Sequence, residues 1–381
     1  MKKKIYIFLI IILLLVLSIS IYIKLISKRS LNENYINENY INESIFDIYV
    51  TNASNDLTLI QIESINDENI KYSIDTNINK KYENASLLYI EKDSNGNVYV
   101  PYTKDRDGDT EKTRRVLVFD KGVLEGEIEF DDIRNPQNII SDLENDKIYV
   151  EQSITTQSND SPGLKLKVID SNSQKVIDEI LLKGYIGDYY IGNEEIILSL
   201  EGANKLGFID DQDRSLYAIN RKTLEGRIVT KESIPNSVNA ICQDSKGNNI
   251  IFSNVRLQDD LELEKNEVIL MNGDGEIKDS TEVPFDMINN FYGNDKYQYI
   301  LNGKYPYENN GFLLFNKNTC EFEKFIDDVE NISYIENVNG YIFVLTVNSN
   351  LFVYDENSLE KIGSIDFGEN RSYRMKVVEK N

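Results

Sequence analysis

Short apolar runs recur along the chain at nearly even spacing. They are Ile48-Tyr49-Val50, Val98-Tyr99-Val100, Ile148-Tyr149-Val150, Ile196-Ile197-Leu198, Ile250-Ile251-Phe252, Gln298-Tyr299-Ile300 and Ile342-Phe343-Val344. Their central residues are 50, 50, 48, 54, 48 and 44 positions apart, which makes seven copies with a period near fifty. Each copy has the same internal order. A strand-like run comes first, as in Ser86–Ile90 or Val238–Cys242. A polar turn such as Asp93-Ser94-Asn95-Gly96-Asn97 or Asp244-Ser245-Lys246-Gly247-Asn248 leads into the recurring run. A third run follows and often ends in Asp or Asn, as in Val116–Asp120, Leu166–Asp170, Leu216–Asn220 and Leu351–Asp355. A second tight turn opens a fourth run, as in Gly126–Phe130, Lys175–Ile180, Gly226–Thr230 and Lys361–Asp366. Four short strands with turn punctuation, repeated at a long fixed period, describe the blade of a β-propeller. Apolar residues spaced three and four apart, which a helical solenoid requires, are missing, and a pair of β-sandwiches would not produce the even period.

The pattern therefore predicts an all-β fold, a seven-bladed β-propeller of four-stranded blades over 46–381. The first copy has no leading strand of its own, because the residues before Ile48 are few and polar. Tyr373–Val378 follows the fourth strand of the seventh copy and is expected to fill that place, closing the ring at 373–378. Closure removes the unpaired edges that invite aggregation.

The one long apolar stretch lies at the start. Lys2, Lys3 and Lys4 precede an apolar run from Ile5 to Ile23, with Lys24 behind it. As a helix, a stretch of that length spans roughly 28 Å, close to the hydrocarbon thickness of a bilayer. It is read as a transmembrane signal-anchor at 5–23, with a cytoplasmic tail at 1–4. A cleaved signal peptide, cut near Ser18-Ile19-Ser20, is the alternative. A polar linker follows at 24–45 and contains Glu33-Asn34-Tyr35-Ile36-Asn37 twice in succession, a five-residue period that fits neither helix nor strand. Lysines flank both ends of the apolar run, so charge sets orientation weakly. A four-residue tail is easily left in the cytoplasm, and the expected location is the cell membrane, single-pass, with the C-terminal domain extracytoplasmic.

Tyr49-Val50-Thr51-Asn52 in the first copy, together with Val168-Ile169-Asp170-Ser171-Asn172-Ser173-Gln174-Lys175-Val176 in the third, resembles the YVTN-type β-propeller repeat family. The resemblance spans about 46–381. The family's Gly-x-x-Pro linker and Ser-Pro-Asp-Gly turn are missing or worn down in this chain. It implies an exported or surface protein of binding type. Some sequence-related propellers are sugar-lactone hydrolases, so the resemblance also keeps an enzyme in view.

Composition narrows the chemistry. No histidine is present among 381 residues. This removes the commonest general acid/base, the Ser–His and Cys–His nucleophile pairs, and the usual transition-metal ligand. Two cysteines, Cys242 and Cys320, are too few for a four-cysteine zinc site. Their expected places, an innermost strand of blade five and a turn toward the rim of blade six, argue for free thiols. The net charge is −23; the first 29 residues hold six of the 41 basic groups and no acid, leaving 35 basic against 64 acidic residues beyond them. Such a surface repels nucleic acid and anionic headgroups.

Three acidic groups are candidate sites: Asp105, Asp107 and Asp109 with Glu111; Asp210, Asp211 and Asp213; and Asp259 and Asp260 with Glu262 and Glu264. All three are read as lying in loops. The first opens like an EF-hand loop, but Thr110 stands where glycine is needed and Val116 where the twelfth-position Glu belongs. Solvated loops are the plainer reading, so no cofactor is expected, with calcium the one candidate.

In a propeller the connections from second to third strand share one face with the connections between blades. The five at Lys104–Thr113, Ser153–Gly163, Glu201–Ser215, Asn254–Lys265 and Gly303–Asn310 read as long loops. Long loops on a rigid scaffold are where binding residues concentrate. Leu206, Phe208, Ile209, Tyr305 and Tyr307 supply apolar and amphipathic contacts there, and they are the expected partner-binding residues. The expected function is a membrane-anchored, non-enzymatic binding or sensory module. Its partner would be a protein, a peptide or a neutral polymer, and not nucleic acid. A calcium-assisted hydrolase or lactonase-like enzyme, and a structural subunit of an envelope complex, are the alternatives.

Overall fold

The structure is a computed structural model. It describes residues 44–380 apart from 54–55, 67–68, 77, 80–84, 87–88, 105–114, 131–135, 155–162, 204–208, 232–233, 235–236, 255–265, 284–286, 305–307 and 369–370. The expected anchor and nearly all of the linker lie outside the described residues. No helix among the described residues is long and apolar enough to cross a membrane.

Seven antiparallel sheets make a seven-bladed β-propeller. Blade 1 is ordered Ser372–Glu379, Phe46–Asn52, Leu57–Asn66, Asn69–Asp75 from its innermost strand outward. Blades 3 to 7 begin with Pro136–Asp142, Tyr185–Ile191, Ser237–Gln243, Met287–Tyr292 and Ile332–Val338, and each adds its next three strands in chain order. Blade 2 departs from the even pattern. Its innermost strand, expected as Ser86–Ile90, is split into Ala85–Ser86 and Glu91–Lys92, both paired with Val98–Lys104. Ile90, between the two pieces, is buried in the apolar core against blade 1.

The repeated apolar run is explained by where its residues go. Successive side chains of a strand point to opposite faces of the sheet. Both faces of every blade are covered by neighbours, so both must be apolar. Ile48 and Val50 pack against Phe343 and Leu345 of blade 7, while Tyr49 packs against Val98 and Val100 of blade 2. The core is thus seven apolar clusters, one in each gap between adjacent blades. The recurrent tyrosine also carries a polar tip across the gap. The Tyr49 hydroxyl accepts the Gly122 N–H of blade 2 at 2.8 Å. The Tyr99 hydroxyl reaches Asp93 at 3.0 Å and the Ser171 carbonyl of blade 3 at 3.2 Å. The Tyr299 hydroxyl accepts from the Asn337 amide of blade 7 at 3.0 Å.

The turns follow their sequence. Asp93 Oδ1 accepts the N–H groups of Asn95 and Asn97, and Gly96 adopts φ +85, a conformation glycine takes without a Cβ clash. Asp244 accepts the equivalent bonds from Lys246 and Asn248, with Gly247 at φ +79. The third strands end in an acid or amide that caps the next turn. Asp170, Asn220, Asn316 and Asp355 each accept backbone N–H groups two or three residues on.

The ring is joined by Ser372–Glu379, which pairs antiparallel with Phe46–Asn52 from Phe46 opposite Glu379 to Asn52 opposite Ser372. Met375 and Val377 are fully buried in the gap between blades 7 and 1. Beside them the buried Asp47 carboxylate accepts Ser44, Gln61 and Lys380.

Candidate functional site

Among the described residues, two regions gather polar side chains from several blades. The first is the central channel, where the cations come from the closing strand. Arg374 and Lys376 alternate with Met375 and Val377, so they point away from the apolar gap that those two fill. Lys376 is buried between two carboxylates, Glu91 of blade 2 at 2.8 Å and Glu336 of blade 7 at 3.4 Å. Burial alone would lower its pKa; the facing Glu336 and Glu91 outweigh that and hold the ammonium well above its ordinary value. Glu91 also accepts the hydroxyl of Tyr189, which comes from blade 4 across the ring, at 3.2 Å. Burial and the Glu91 charge together push that phenol well above its usual pKa. The Arg374 guanidinium lies 4.5 Å from the ring centroid of Tyr89 and 5.9 Å from that of Tyr334.

The innermost strand of a blade has one edge without a strand partner. At Val377 that edge is capped by side chains. Its N–H donates to Glu336 at 2.9 Å, and its carbonyl accepts Lys92 Nζ at 2.7 Å. Burial lowers the Lys92 pKa. The channel's two acids therefore face a fixed cation and hold the closing strand in place.

The second region is a groove of about 590 Å³ on the opposite face from the second-to-third-strand connections. Its walls are the first-to-second-strand turns of blades 4, 5 and 6 together with Lys317 of blade 6. The blade 4 wall is fixed from behind. Arg221 donates to the Gly192 carbonyl at 2.7 Å and the Asn193 carbonyl at 3.0 Å, and holds the buried Asp142 of blade 3 with Nε at 3.0 Å and with Nη2. Lys317 is buried, and burial lowers its pKa.

One further buried group stands apart. Glu151, on the second strand of blade 3, accepts from the amide of Asn138. Burial pushes its carboxyl up to about 7, against the opposing effect of that hydrogen bond.

Of the partner-binding residues expected from sequence, Leu206, Phe208, Tyr305 and Tyr307 lie outside the described residues. Ile209 begins the strand Ile209–Asn220. The ends of two of the expected loops prove to be ladder. In blade 4 the pairing continues to Ala203 opposite Ile209, and in blade 6 to Lys304 opposite Glu308. Asp210, Asp211 and Asp213 are thus in a strand and not in a loop. The register jumps there from Glu201–Arg214 to Gly202–Asp210, so residues 211–213 are taken up in a bulge. The acidic groups at 105–111 and 259–264 lie outside the described residues. Cys242 is buried on the innermost strand of blade 5, Cys320 sits in the third-to-fourth-strand turn of blade 6, and both are free thiols. The channel network and the groove were missed by sequence reasoning. The alternation of Arg374 and Lys376 within an apolar closing strand was the one signal for the network.

No family model matches the chain, and no curated protein matches it. Solved structures do. Apo AztD from Citrobacter koseri is similar with a TM-score of 0.50 at 11% identity, over 88% of this chain and 98% of that one. A chain of the mitotic checkpoint complex is similar with a TM-score of 0.50 at 13% identity, over 75% and 78% of the two chains. At these identities the likeness is one of fold.

Proposed function

We propose that this chain is a membrane-anchored, extracytoplasmic binding module without enzymatic activity, whose partner docks on the face of the second-to-third-strand connections. The observation that carries the reading is the length of two hairpins on that face. The second and third strands of blade 7 are Tyr341–Thr346 and Asn350–Asp355, six residues each. Those of blade 4 are Glu195–Ala203 and Ile209–Asn220, and those of blade 6 are Tyr297–Lys304 and Glu308–Asn316. At about 3.4 Å per residue, the three and two extra residues of the second strands carry the hairpins roughly 7–10 Å further than in blade 7. Leu206 and Phe208 fall between the strands of one hairpin, with Ile209 at its edge, and Tyr305 and Tyr307 fall between the strands of the other.

The ring behind them suits a scaffold. The channel is cross-tied by Lys376, and the opposite face is knitted between blades by bonds such as Asn95 to Asn172, Ser245 to Asn318 and Asn339 to Glu379. The engagement of Glu91 and Glu336 by Lys376 favours rigidity at the centre over acid–base work there. A propeller-like chain within a checkpoint complex is consistent with a partner that is a protein. A peptide or a neutral polymer fits the same surface chemistry.

The test is photo-crosslinking from position 206 in intact cells. The expected result is a discrete adduct that the combined change Phe208→Ala, Tyr305→Ala and Tyr307→Ala abolishes while the melting temperature is unchanged. An adduct that survives the triple change contradicts the assignment. Protease added outside intact cells should remove the ring, and cleavage only after lysis would contradict the orientation.

A further inference from the structure

We propose that the groove between blades 4, 5 and 6 is a second binding site, for a neutral, hydroxyl-rich ligand of the size of a short oligosaccharide. It lies on the face opposite the docking surface described above and is independent of it. Its volume, about 590 Å³, is in the range of small-molecule sites, roughly 300–1,000 Å³.

The carboxylates of the lining are partly engaged within the protein. Glu195 is held by Arg227, with Nη2 at 2.9 and 3.1 Å from its two oxygens. Asp244 accepts from the Lys246 and Asn248 amides and from the Asn248 side chain, all inside its own turn. Asp295 acts electrostatically on the Lys317 ammonium. Glu194, exposed at the rim, remains as the open carboxylate of the described lining. Arg227 on Glu195 and the buried Lys317 offset part of the lining's negative charge, and the spermine arm of the test below separates a cation site from a neutral one.

What the groove does offer is a set of neutral groups held in place. Tyr190 is half-buried, wedged against the apolar clusters on both sides of blade 5, and burial raises its phenol pKa and keeps it neutral. It contributes a ring and a hydroxyl that can both donate and accept. Gln243 is anchored through its amide nitrogen to Asn249 at 3.0 Å, which fixes the side chain and leaves its carbonyl oxygen as the acceptor. Ser245 adds an exposed hydroxyl whose backbone is tied to Asn318 across the blade gap. Gly247 has no atom within 4 Å of the place a Cβ would occupy, so ligand can approach the backbone there. Paired donors and acceptors beside one aromatic ring match a sugar, which presents hydroxyl groups at its rim and C–H groups on its face.

Titration calorimetry of the full chain with maltotriose, cellotriose, chitotriose and spermine tests this. At least one trisaccharide should bind, and Ser245→Tyr, which fills the groove, should weaken it at least tenfold at unchanged melting temperature. Gln243→Ala should weaken the same trisaccharide while leaving the fold intact. Binding of none of the three trisaccharides overturns the proposal. So does trisaccharide binding that Ser245→Tyr leaves untouched. Spermine binding that Ser245→Tyr abolishes, without trisaccharide binding, overturns it in favour of a cation site.

Discussion

At the scale of the residue, buried polar groups decide most. Glu151 is the sharpest case, because burial raises its carboxyl to about 7 and Asn138 is the donor it faces. A carboxyl whose folded pKa lies above its unfolded one binds its proton more tightly in the folded state. Its contribution is fully present below the ordinary carboxylate range and is lost as pH rises through about 7. Glu151→Gln removes that loss. The variant should therefore be more stable than the parent at pH 8, by on the order of 3 kcal/mol, and the advantage should vanish near pH 4. Denaturant unfolding at the two pH values checks this, and a variant no more stable than the parent at pH 8 would refute it. Glu151 could not be singled out from sequence. It is one acid among 64, and its burial arises from neighbours outside its own strand.

At the scale of the element, the turns and the apolar runs were legible because each rests on local chemistry. Asp93 and Asp244 cap their own turns, with Gly96 and Gly247 supplying positive φ. The run Ile48-Tyr49-Val50 alternates between two blade gaps. Strand lengths were less legible. The sequence from Glu201 to Ser215 reads as a loop, yet its ends continue the ladder as far as Ala203 and Ile209. The paired ends, 201–203 and 209–215, are mostly polar and carry no apolar alternation to reveal a strand. The blade-to-blade role of the tyrosines makes its own prediction. Tyr49→Phe keeps the apolar packing but leaves the Gly122 N–H without its acceptor. A buried unsatisfied donor costs about 1–3 kcal/mol, and chemical denaturation should show a loss in that range. No measurable loss would mean that the hydroxyl does not couple blades 1 and 2.

At the scale of the whole molecule, the ring is a closed circuit of seven apolar gaps, one of which is completed by the chain's end. The seven copies and their period were visible in sequence because the repeat is written in apolar residues. The channel network was not. Glu91, Tyr189, Glu336 and Lys376 come from four strands far apart in the chain, and each reads as an ordinary polar position in its own strand. Only the curvature of the ring brings them face to face. The closing strand connects these observations. It buries Met375 and Val377, supplies Lys376 to the channel, and pairs with Phe46–Asn52 along its length. Burial of the two apolar side chains alone contributes about 3–6 kcal/mol, a large part of a domain's usual 5–15 kcal/mol. Its removal would also leave Glu91 and Glu336 facing each other without their cation.

The most direct measurement is thermal unfolding of the chain ended after Arg371. A closed ring that serves as a rigid scaffold should lose cooperative unfolding, or melt at least 10 °C lower than the full chain, with the loss spread over the whole domain. A melting temperature within one degree of the parent would mean that this strand does not seal the ring.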